Sequence, residues 1–561
     1  MVYIMGILRK IPRLGVRSKK DSKDIASKVA EVSMYTRHIR APLMPLRQRP
    51  SGEVVERYSI MDPWSITYIV LSEETGEYVY FVDEVPLTEE EVRIYRRIVD
   101  FLMWEAGELG EGEDPRDFIS REARKAVELF RLRMGRTPTV SWSKILYYIE
   151  REIAGFGPIN PLMLDPNLED ISCNGVGVPI YVYHRKYESM PTNIVFQTQE
   201  DLDSYVVKLA HMSGKHISVA FPILDASLPG GHRLAATFMK EVSQKGSTFT
   251  IRKFREDPIT IVDMIGFSTL SPLVAAYLWM AIEHKRTILI MGVTGSGKTT
   301  LLNSVLNLVK PNYKIVTIED TPEIRLPTSN WVQLVSRPSY AAGESRAGEI
   351  TLYDLVRLSL RYRPDIIVVG EVRGAEAYVL FQSIATGHGG ATTIHAESID
   401  AAIKRLTSPP MNIPESYIPL INIALMVERV NVRDKEGKMR ATRRVTKIWE
   451  IKEDGTPIQI GRWSPSKDIH ELSVMDSYIL KRISSSAEVD LKYIHEEIYR
   501  RARLFEWLQL KNIRNYRDIA SIIYRYYRSP SSILERAEAE LSVVAIGREE
   551  AGGSVYGERQ Q

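Results

Sequence analysis

Cysteine is almost absent from this 561-residue chain: Cys173 stands alone, which excludes an intrachain disulfide and any multi-cysteine metal site. Long apolar runs are missing too. No stretch approaches the ~18 residues that a membrane-spanning helix needs. The opening MVYIMGILRK has too short an apolar core, with its charge on the wrong side, for a secretory signal. The expectation is a chain that starts and stays on the cytosolic side. Asn and Gln together number 23, a scarcity that fits a heat-adapted source. Net charge is small as well, 74 basic against 71 acidic residues leaving +3. What is there is ordinary globular composition, 44% hydrophobic and 26% charged, which argues against global disorder. The length predicts about three or four domains.

The near-neutral total hides an asymmetry. Residues 1–50 carry 12 Lys/Arg against Asp21, Asp24 and Glu31, a net +9, which leaves −6 for the other 511 residues. This segment lacks sustained periodicity and ends in APLMPLRQRP, so it reads as a basic flexible arm, compatible with a solvated tail or a docking tether. Residues 51–138 read as an N-terminal α+β and helical region: alternating apolar sequence (YSIMDPWSITYIVL, EYVYFV), then helical patterns. Thr88 and Glu91 there have capping-box spacing. Residues 139–258 read as an N-terminal α/β domain. SKILYYIEREIAG is helical, PIYVYHRKY a strand, and DLDSYVVKLAHMSG puts Leu202, Val206 and Leu209 on one helical face. REDPITIVD, around Pro258, reads as a linker. From 262 to 470, RTILIMG, YKIVTIED, DIIVVGE and ATTIHA alternate with helical TTLLNSVLNLV, LYDLVRLSLRY and AEAYVLFQSIA. That alternation predicts a parallel α/β sheet. Residues 471–561 read as a helical extension with a polar tail, its stripe running through Leu491, Ile494, Ile498, Ala502, Phe505 and Leu508.

The strongest local signal is Gly292-Val293-Thr294-Gly295-Ser296-Gly297-Lys298-Thr299, a complete G-x-x-x-x-G-K-[ST] phosphate loop continued by Thr300. It follows an apolar strand and opens an apolar helix, the context the motif requires. Glycines let backbone N–H groups turn inward around a β-phosphate, and side chains at Gly295 or Gly297 would clash. The helix N-terminus adds positive potential, Lys298 would reach the β/γ oxygens and the Thr299 hydroxyl would bind Mg²⁺. The sequence therefore predicts binding of a nucleoside triphosphate such as ATP.

Hydrolysis also needs acids at strand ends near the γ-phosphate. YKIVTIED ends in Glu319 and Asp320, and DIIVVGEVRG carries Glu371 followed by Arg373. One acid would hold Mg²⁺ through water and another would orient the attacking water. The alternative is that these strand-end acids simply cap the next helix. A third segment, Thr386-Gly387-His388-Gly389-Gly390-Ala391-Thr392-Thr393-Ile394-His395, flanks a strand with two histidines. A zinc site lacks a third ligand of suitable spacing, so sensing of the nucleotide state is the expected role for His388 and His395.

Four boxes occur in order: the phosphate loop, IEDTPE (318–323), VVGEVRG (368–374) and GHGG…IHA (387–396). Together they resemble the type II/type IV secretion ATPase superfamily, which powers pilus assembly, type II secretion and archaeal surface filaments. GFGPINPLMLDPNLEDISCNG (155–175) and LPGGHRLAATF (228–238) resemble that family's N-terminal domain, and the helical finish is similar to its archaeal branch. The resemblance spans roughly residues 140–470. It implies an α/β fold: a RecA-like phosphate-loop motor domain preceded by a smaller, PAS-like α/β domain, with helical extensions. It further implies a homohexamer on the cytoplasmic face of the membrane, with nucleotide sandwiched between the two domains. Arg233 and Arg252, in its basic motifs, would contact phosphates. Glu319 is the first choice for the water-activating base and Glu371 for the metal acid, with the two roles exchangeable. Thr321 precedes the proline of IEDTPE where many bacterial members read IEDP, a form the archaeal branch tolerates. Hydrolysis would act on a polytopic membrane platform protein that extracts pilin-like subunits, with the basic arm giving peripheral membrane contact. A pilus, an archaellum and a secretion pseudopilus all remain open as clients. A DNA translocase would not need the acid and histidine boxes, and a non-hydrolysing ATP-binding scaffold would not need the full set of acids, so no specific nucleic acid is expected.

Overall fold

The computed structural model describes residues 42–104, 112–254, 257–337, 348–433, 437 and 439–551. Its chain divides into two units, residues 1–255 and 256–561.

In the first unit, alternating residues 52–84 make a meander: β1 (Gly52–Met61), β2 (Ser65–Ser72) and β3 (Tyr78–Glu84), each antiparallel to the next. Three helices follow: α1 (Glu89–Trp104), α2 (Pro115–Leu129) and α3 (Pro138–Ile153). The expected capping box starts α1, where Thr88 N–H donates to Glu91 Oε2 at 2.8 Å and Glu91 N–H donates to Thr88 Oγ1 at 3.3 Å. Ile94, Ile98, Phe118, Ile119, Ile145 and Ile149 close a core among these helices. Beyond α4 (Asn160–Leu164) come β4 (Leu168–Cys173), β5 (Pro179–His184) and β6 (Glu188–Val195). Next is α5 (Gln199–Met212), which buries the marked face of Leu202, Val206 and Leu209. The unit ends with β7 (Ile223–Ser227), β8 (Arg233–Thr237) and β9 (Thr248–Arg252).

All nine strands form one sheet in the order β1-β2-β3-β6-β5-β4-β9-β8-β7. The junction of β3 and β6 is parallel and rests on one registered pair, Tyr80 with Thr192. The Asn193 side chain completes it. Its Oδ1 accepts Val82 N–H at 2.8 Å, and its Nδ2 donates to the carbonyls of Val82 at 2.8 Å and Leu46 at 2.6 Å. Arg151, wholly buried, pairs with Glu84 at 2.6 Å and donates to the Leu43 carbonyl at 2.9 Å. These contacts correct one expectation. The arm was expected to be flexible through residue 50, yet Leu46 N–H donates to Asn193 O at 2.7 Å, and Leu43 and Met44 pack on the two apolar cores. The hold on this segment comes from the apolar side chains of Leu43 and Met44 and from the Leu46 backbone. Residues 1–41 of the arm lie outside the described residues.

In the second unit, Thr260 and Asp263 form a capping box that starts α6 (Ile261–Gly266), so the expected linker ends three residues before Asp263. Then come α7 (Pro272–Glu283), β10 (Ile288–Met291), α8 (Lys298–Leu306), β11 (Ile315–Glu319), β12 (Trp331–Val335) and α9 (Leu352–Ser359). After them run β13 (Ile366–Val369), α10 (Glu376–Ala385), β14 (Gly389–Ile394), α11 (Ile399–Thr407) and β15 (Ile423–Arg433). The sheet finishes with β16 (Met439–Ile451), β17 (Pro457–Ser464) and β18 (Ile469–Leu472). Its order is β12-β11-β13-β14-β10-β15-β16-β17-β18. Ladders from β12 to β15 are parallel and those from β15 to β18 antiparallel, so the sheet is mixed rather than wholly parallel. Close hairpin connections replace crossover helices after β15. With β14 inserted between the phosphate-loop strand β10 and the acid strand β13, the arrangement is an α/β, RecA-like one.

The helical finish comprises α12 (Tyr478–Ala487), α13 (Leu491–Leu510), α14 (Tyr516–Arg528) and α15 (Pro530–Ala551). Its stripe is buried as expected: Ile494, Ile498, Ala502, Phe505 and Leu508 join the core that includes α7. Buried Glu450, at the end of β16, accepts the Tyr277 hydroxyl at 2.6 Å and the Tyr478 N–H at 2.7 Å, which caps α12. Arg501 of α13 pairs with Glu283 of α7 at 2.6 Å and donates to Glu497 at 3.0 Å, its guanidinium 4.5 Å from the Trp279 ring centre. No helix among the described residues is long and apolar enough to cross a membrane.

Candidate nucleotide site

β10 delivers the chain at the carboxyl edge of the sheet, and the loop 292–297 turns it into α8. The steric demand for glycine falls on Gly292. A Cβ there would stand 2.4 Å from the Val427 carbonyl oxygen and 2.5 Å from Ser296 Oγ, contacts no side chain can make. At Gly295 a Cβ would meet nothing within 4 Å, so the expected clash there is not with protein. Gly297, which caps α8, has φ 96°, a left-handed conformation that glycine adopts without strain. Val293, Thr294 and Gly295 are exposed, while Thr299 and Thr300 are half-buried at the start of α8.

Side chains converge on this loop from two neighbouring strands. Lys298 Nζ donates to the Val293 carbonyl at 3.1 Å and lies 3.4 Å from His395 Nε2. His395, just past β14, also lies 3.3 Å from Thr294 Oγ1 and 3.7 Å from Glu371 Oε1. Glu371, two residues past β13, takes Arg373 Nη2 on its other oxygen at 2.5 Å. Burial lowers the pKa of Lys298, against the pull of Glu371. Burial first, and then the Lys298 charge, lower the pKa of His395 and so disfavour its protonated form. The hydrogen bond to Glu371, and then the Glu371 charge, raise the pKa of the Arg373 guanidinium against burial.

Two buried polar atoms around the loop, Ser296 Oγ and Glu371 Oε1, have no hydrogen-bond partner among the described residues. An orphaned buried oxygen is costly unless something supplies its hydrogen bond. A backbone cradle that excludes a Cβ at Gly292, a cationic amine at its mouth and a free carboxylate oxygen fit a triphosphate with a hydrated divalent cation.

Other expected residues stand elsewhere. Glu319 is buried at the end of β11. Its Oε1 accepts the N–H groups of Glu323 and Ile324, both at 2.9 Å, and its Oε2 accepts Gln333 Nε2 at 3.1 Å. Burial raises its pKa, against those three hydrogen bonds. Its carboxylate thus caps the turn of IEDTPE; no helix follows β11 before β12 for it to cap. Exposed Asp320 accepts Ser336 Oγ at 2.8 Å. His388 is not brought to the loop. It precedes β14 where His395 follows it, and a six-residue strand separates its two ends by about 20 Å. Its Nδ1 instead lies 2.9 Å from Ser383 O and 3.1 Å from Thr386 Oγ1, inside the preceding turn. In the first unit, Arg233 of β8 faces Arg252 of β9, and Asp170 of β4 occupies the next position of that ladder.

Three residues at the site escaped the sequence reading. Glu376 Oε1 accepts the N–H groups of Arg373 and Gly374 at 2.6 and 2.7 Å, fixing the turn after Glu371. Gln333 holds Glu319. Arg443 of β16 donates from Nε to the Gly295 carbonyl at 3.1 Å. Only Glu376, three residues past Arg373, had a local signal, the acid-capped turn.

Residues 152–512 match the family model described as Type II/IV secretion system protein. A Methanocaldococcus jannaschii protein is 39% identical over 393 residues, which cover 68% of this chain and 70% of that one. The Type IV secretion system protein PtlH of Bordetella pertussis is 33% identical over 288 residues, 46% of this chain and 83% of PtlH. Among solved structures, the VirB11 ATPase from the Brucella suis type IV secretion system aligns at 26% identity over 53% of this chain and 96% of that one, with a TM-score of 0.27.

Proposed function

The chain belongs to the type II/IV secretion system protein family, and from that premise we propose that it is an ATP-hydrolysing, Mg²⁺-dependent motor for a pilus-like filament or a type II-type secretion machine. The observation that supports this reading is the convergence of Lys298, Thr294, Glu371 and His395 on one glycine-bounded cradle. In the proposed site, N–H groups of Val293 to Thr300 wrap the phosphates, and Lys298 exchanges the Val293 carbonyl for a β/γ oxygen. The Thr299 hydroxyl and, through water, Glu371 would hold Mg²⁺, which when bound neutralises charge developing on the phosphates. In its neutral form, His395 takes or gives a hydrogen bond without adding charge, so it can report the γ-phosphate to Thr294. Glu319 serves as a positioning residue: its carboxylate fixes the turn that carries Asp320 and Glu323. Arg373, released from Glu371, and Arg233 and Arg252 would contact phosphates within a homohexameric ring.

Work would pass to a polytopic platform protein in the membrane, with the basic arm adding peripheral contact at the cytoplasmic face. An archaellum motor would carry the same four boxes, and genomic neighbours distinguish the clients. The site is tested by phosphate release and nucleotide binding in parallel. Lys298→Ala should lose ATP binding. Glu371→Gln should bind ATP but turn it over about 10²–10⁴-fold more slowly, and Glu319→Gln should lose turnover together with thermal stability. Unchanged phosphate release in Glu371→Gln refutes the assignment.

A further inference from the structure

Arg443 lies 148 residues downstream of Gly295 in a strand that none of the four boxes includes. The antiparallel turn from β15 into β16 brings it back beside the phosphate loop. Its Nε donates to the Gly295 carbonyl, and its Cδ would stand 3.2 Å from a Cβ placed on Gly297. The side chain therefore lies along the two-residue step that forms the bend of the cradle. It is exposed, and its terminal amino groups make no ion pair or hydrogen bond among the described residues. Across the ladder it faces Arg429, and a like charge directly opposite favours its lean toward the loop.

We propose that Arg443 is a further phosphate-binding residue of this site, contacting the phosphate chain of the nucleotide from the β15–β16 hairpin; this rests on the nucleotide reading above. Nε keeps its bond to the Gly295 carbonyl and so fixes the guanidinium plane against the loop. The two terminal nitrogens then present a charged fork to the anion that the loop N–H groups surround. Lys298 approaches the phosphates from within the loop, and Arg443 approaches from outside its bend. The contact gives the hairpin a direct means of registering whether the cradle is filled.

The test compares Arg443→Ala, Arg443→Gln and Arg443→Lys in the full chain. Calorimetry measures ATP, ADP and inorganic tripolyphosphate binding with Mg²⁺, alongside the melting temperature without ligand. Ala and Gln should each weaken all three ligands about tenfold to a hundredfold, the range of a charge-assisted hydrogen bond. Lys should recover part of the loss, and the ligand-free melting temperatures should stay together. Wild-type affinity in Arg443→Gln, which can still donate to the Gly295 carbonyl, would mean a loop brace alone and overturn the proposal. So would a loss for ATP without a loss for tripolyphosphate, which would place the contact on the nucleoside. If the wild type binds no ATP, or Lys298→Ala binds it as well, the nucleotide reading itself has failed instead.

Discussion

Replacing Arg501 by alanine tests what fastens the helical finish to the motor unit. The guanidinium is buried, about 5% exposed, between Glu283 and Glu497, whose side chains are 11% and 8% exposed. Its 2.6 Å contact to Glu283 is an ion pair rather than an aligned hydrogen bond, and the aligned bond goes to Glu497 at 3.0 Å. Removal strands two carboxylates and empties the space over Trp279. Breaking one partner out of a buried pair costs about 3–5 kcal/mol. Lys310, 3.2 Å from Glu283, and the Tyr526 hydroxyl, 2.8 Å from Glu497, keep the loss from doubling. With about 4 kcal/mol lost and roughly 1.5 °C per kcal/mol for a unit of this size, the melting temperature should fall about 6 °C.

The loss should also depend on pH. Burial works against ionisation of Glu283, but Arg501 and then Lys310 outweigh it and leave its pKa lowered. A carboxylate with a lowered folded pKa contributes stability that is present above its unfolded value and lost as pH falls through the folded one. The gap between wild type and Arg501→Ala should therefore be full at pH 7 and close below about pH 4. Thermal unfolding of the full chain, followed by calorimetry and circular dichroism, measures both. A fall of under about 2 °C at pH 7, or a gap that does not close in acid, refutes the reasoning.

Two other outcomes follow from the same structure. Because burial and Lys298 lower the pKa of His395, acidification below about pH 6.5 has to add a second cation beside Lys298 at extra cost. The acid limb of the phosphate-release profile should therefore lie below the ordinary histidine range, and His395→Asn should flatten it; an unchanged limb would remove His395 from that role. Deleting residues 1–41, which spares the anchored Leu43 and Leu46, should weaken salt-sensitive binding to anionic vesicles or to the partner by at least tenfold, since each basic residue near such a surface contributes about 1 kcal/mol. Basal ATP turnover should stay within about twofold. Equal vesicle binding with and without the arm counts against the tether.

The phosphate loop was legible because its chemistry is local: eight consecutive residues, a strand before and a helix after. The Thr88 capping box and the stripe from Ile494 to Leu508 were legible for the same reason, each being a rule about residues three or four apart. The surroundings of Glu319 were not, because the N–H groups of Glu323 and Ile324 reach its carboxylate only through the turn that follows β11. The separation of His388 from the loop was not legible either, since it depends on which end of β14 each histidine occupies. β15 starts as a fully buried run and continues as an alternating one, so its first half reads as a parallel strand and its second half as a hairpin arm. Arg443 had no signal within 100 residues of the loop it touches. Such contacts belong to topology, not to spacing.

The junction of β3 and β6 carries a consequence for the strands that precede the family match. The family match begins at residue 152, at the end of α3 and beyond the meander β1–β3. Without the meander, β6 would be an open strand edge, a hazard that sheets usually have to cover. One ladder pair and the Asn193 amide lay the extra strands along it, and the Tyr58 and Tyr80 hydroxyls on Asp165 fasten them further. The seam therefore binds strands outside the family match to those inside it: Ile69, Tyr80 and Val82 share one apolar core with Ile180, Val182 and Ile194, so losing the meander would uncover that core.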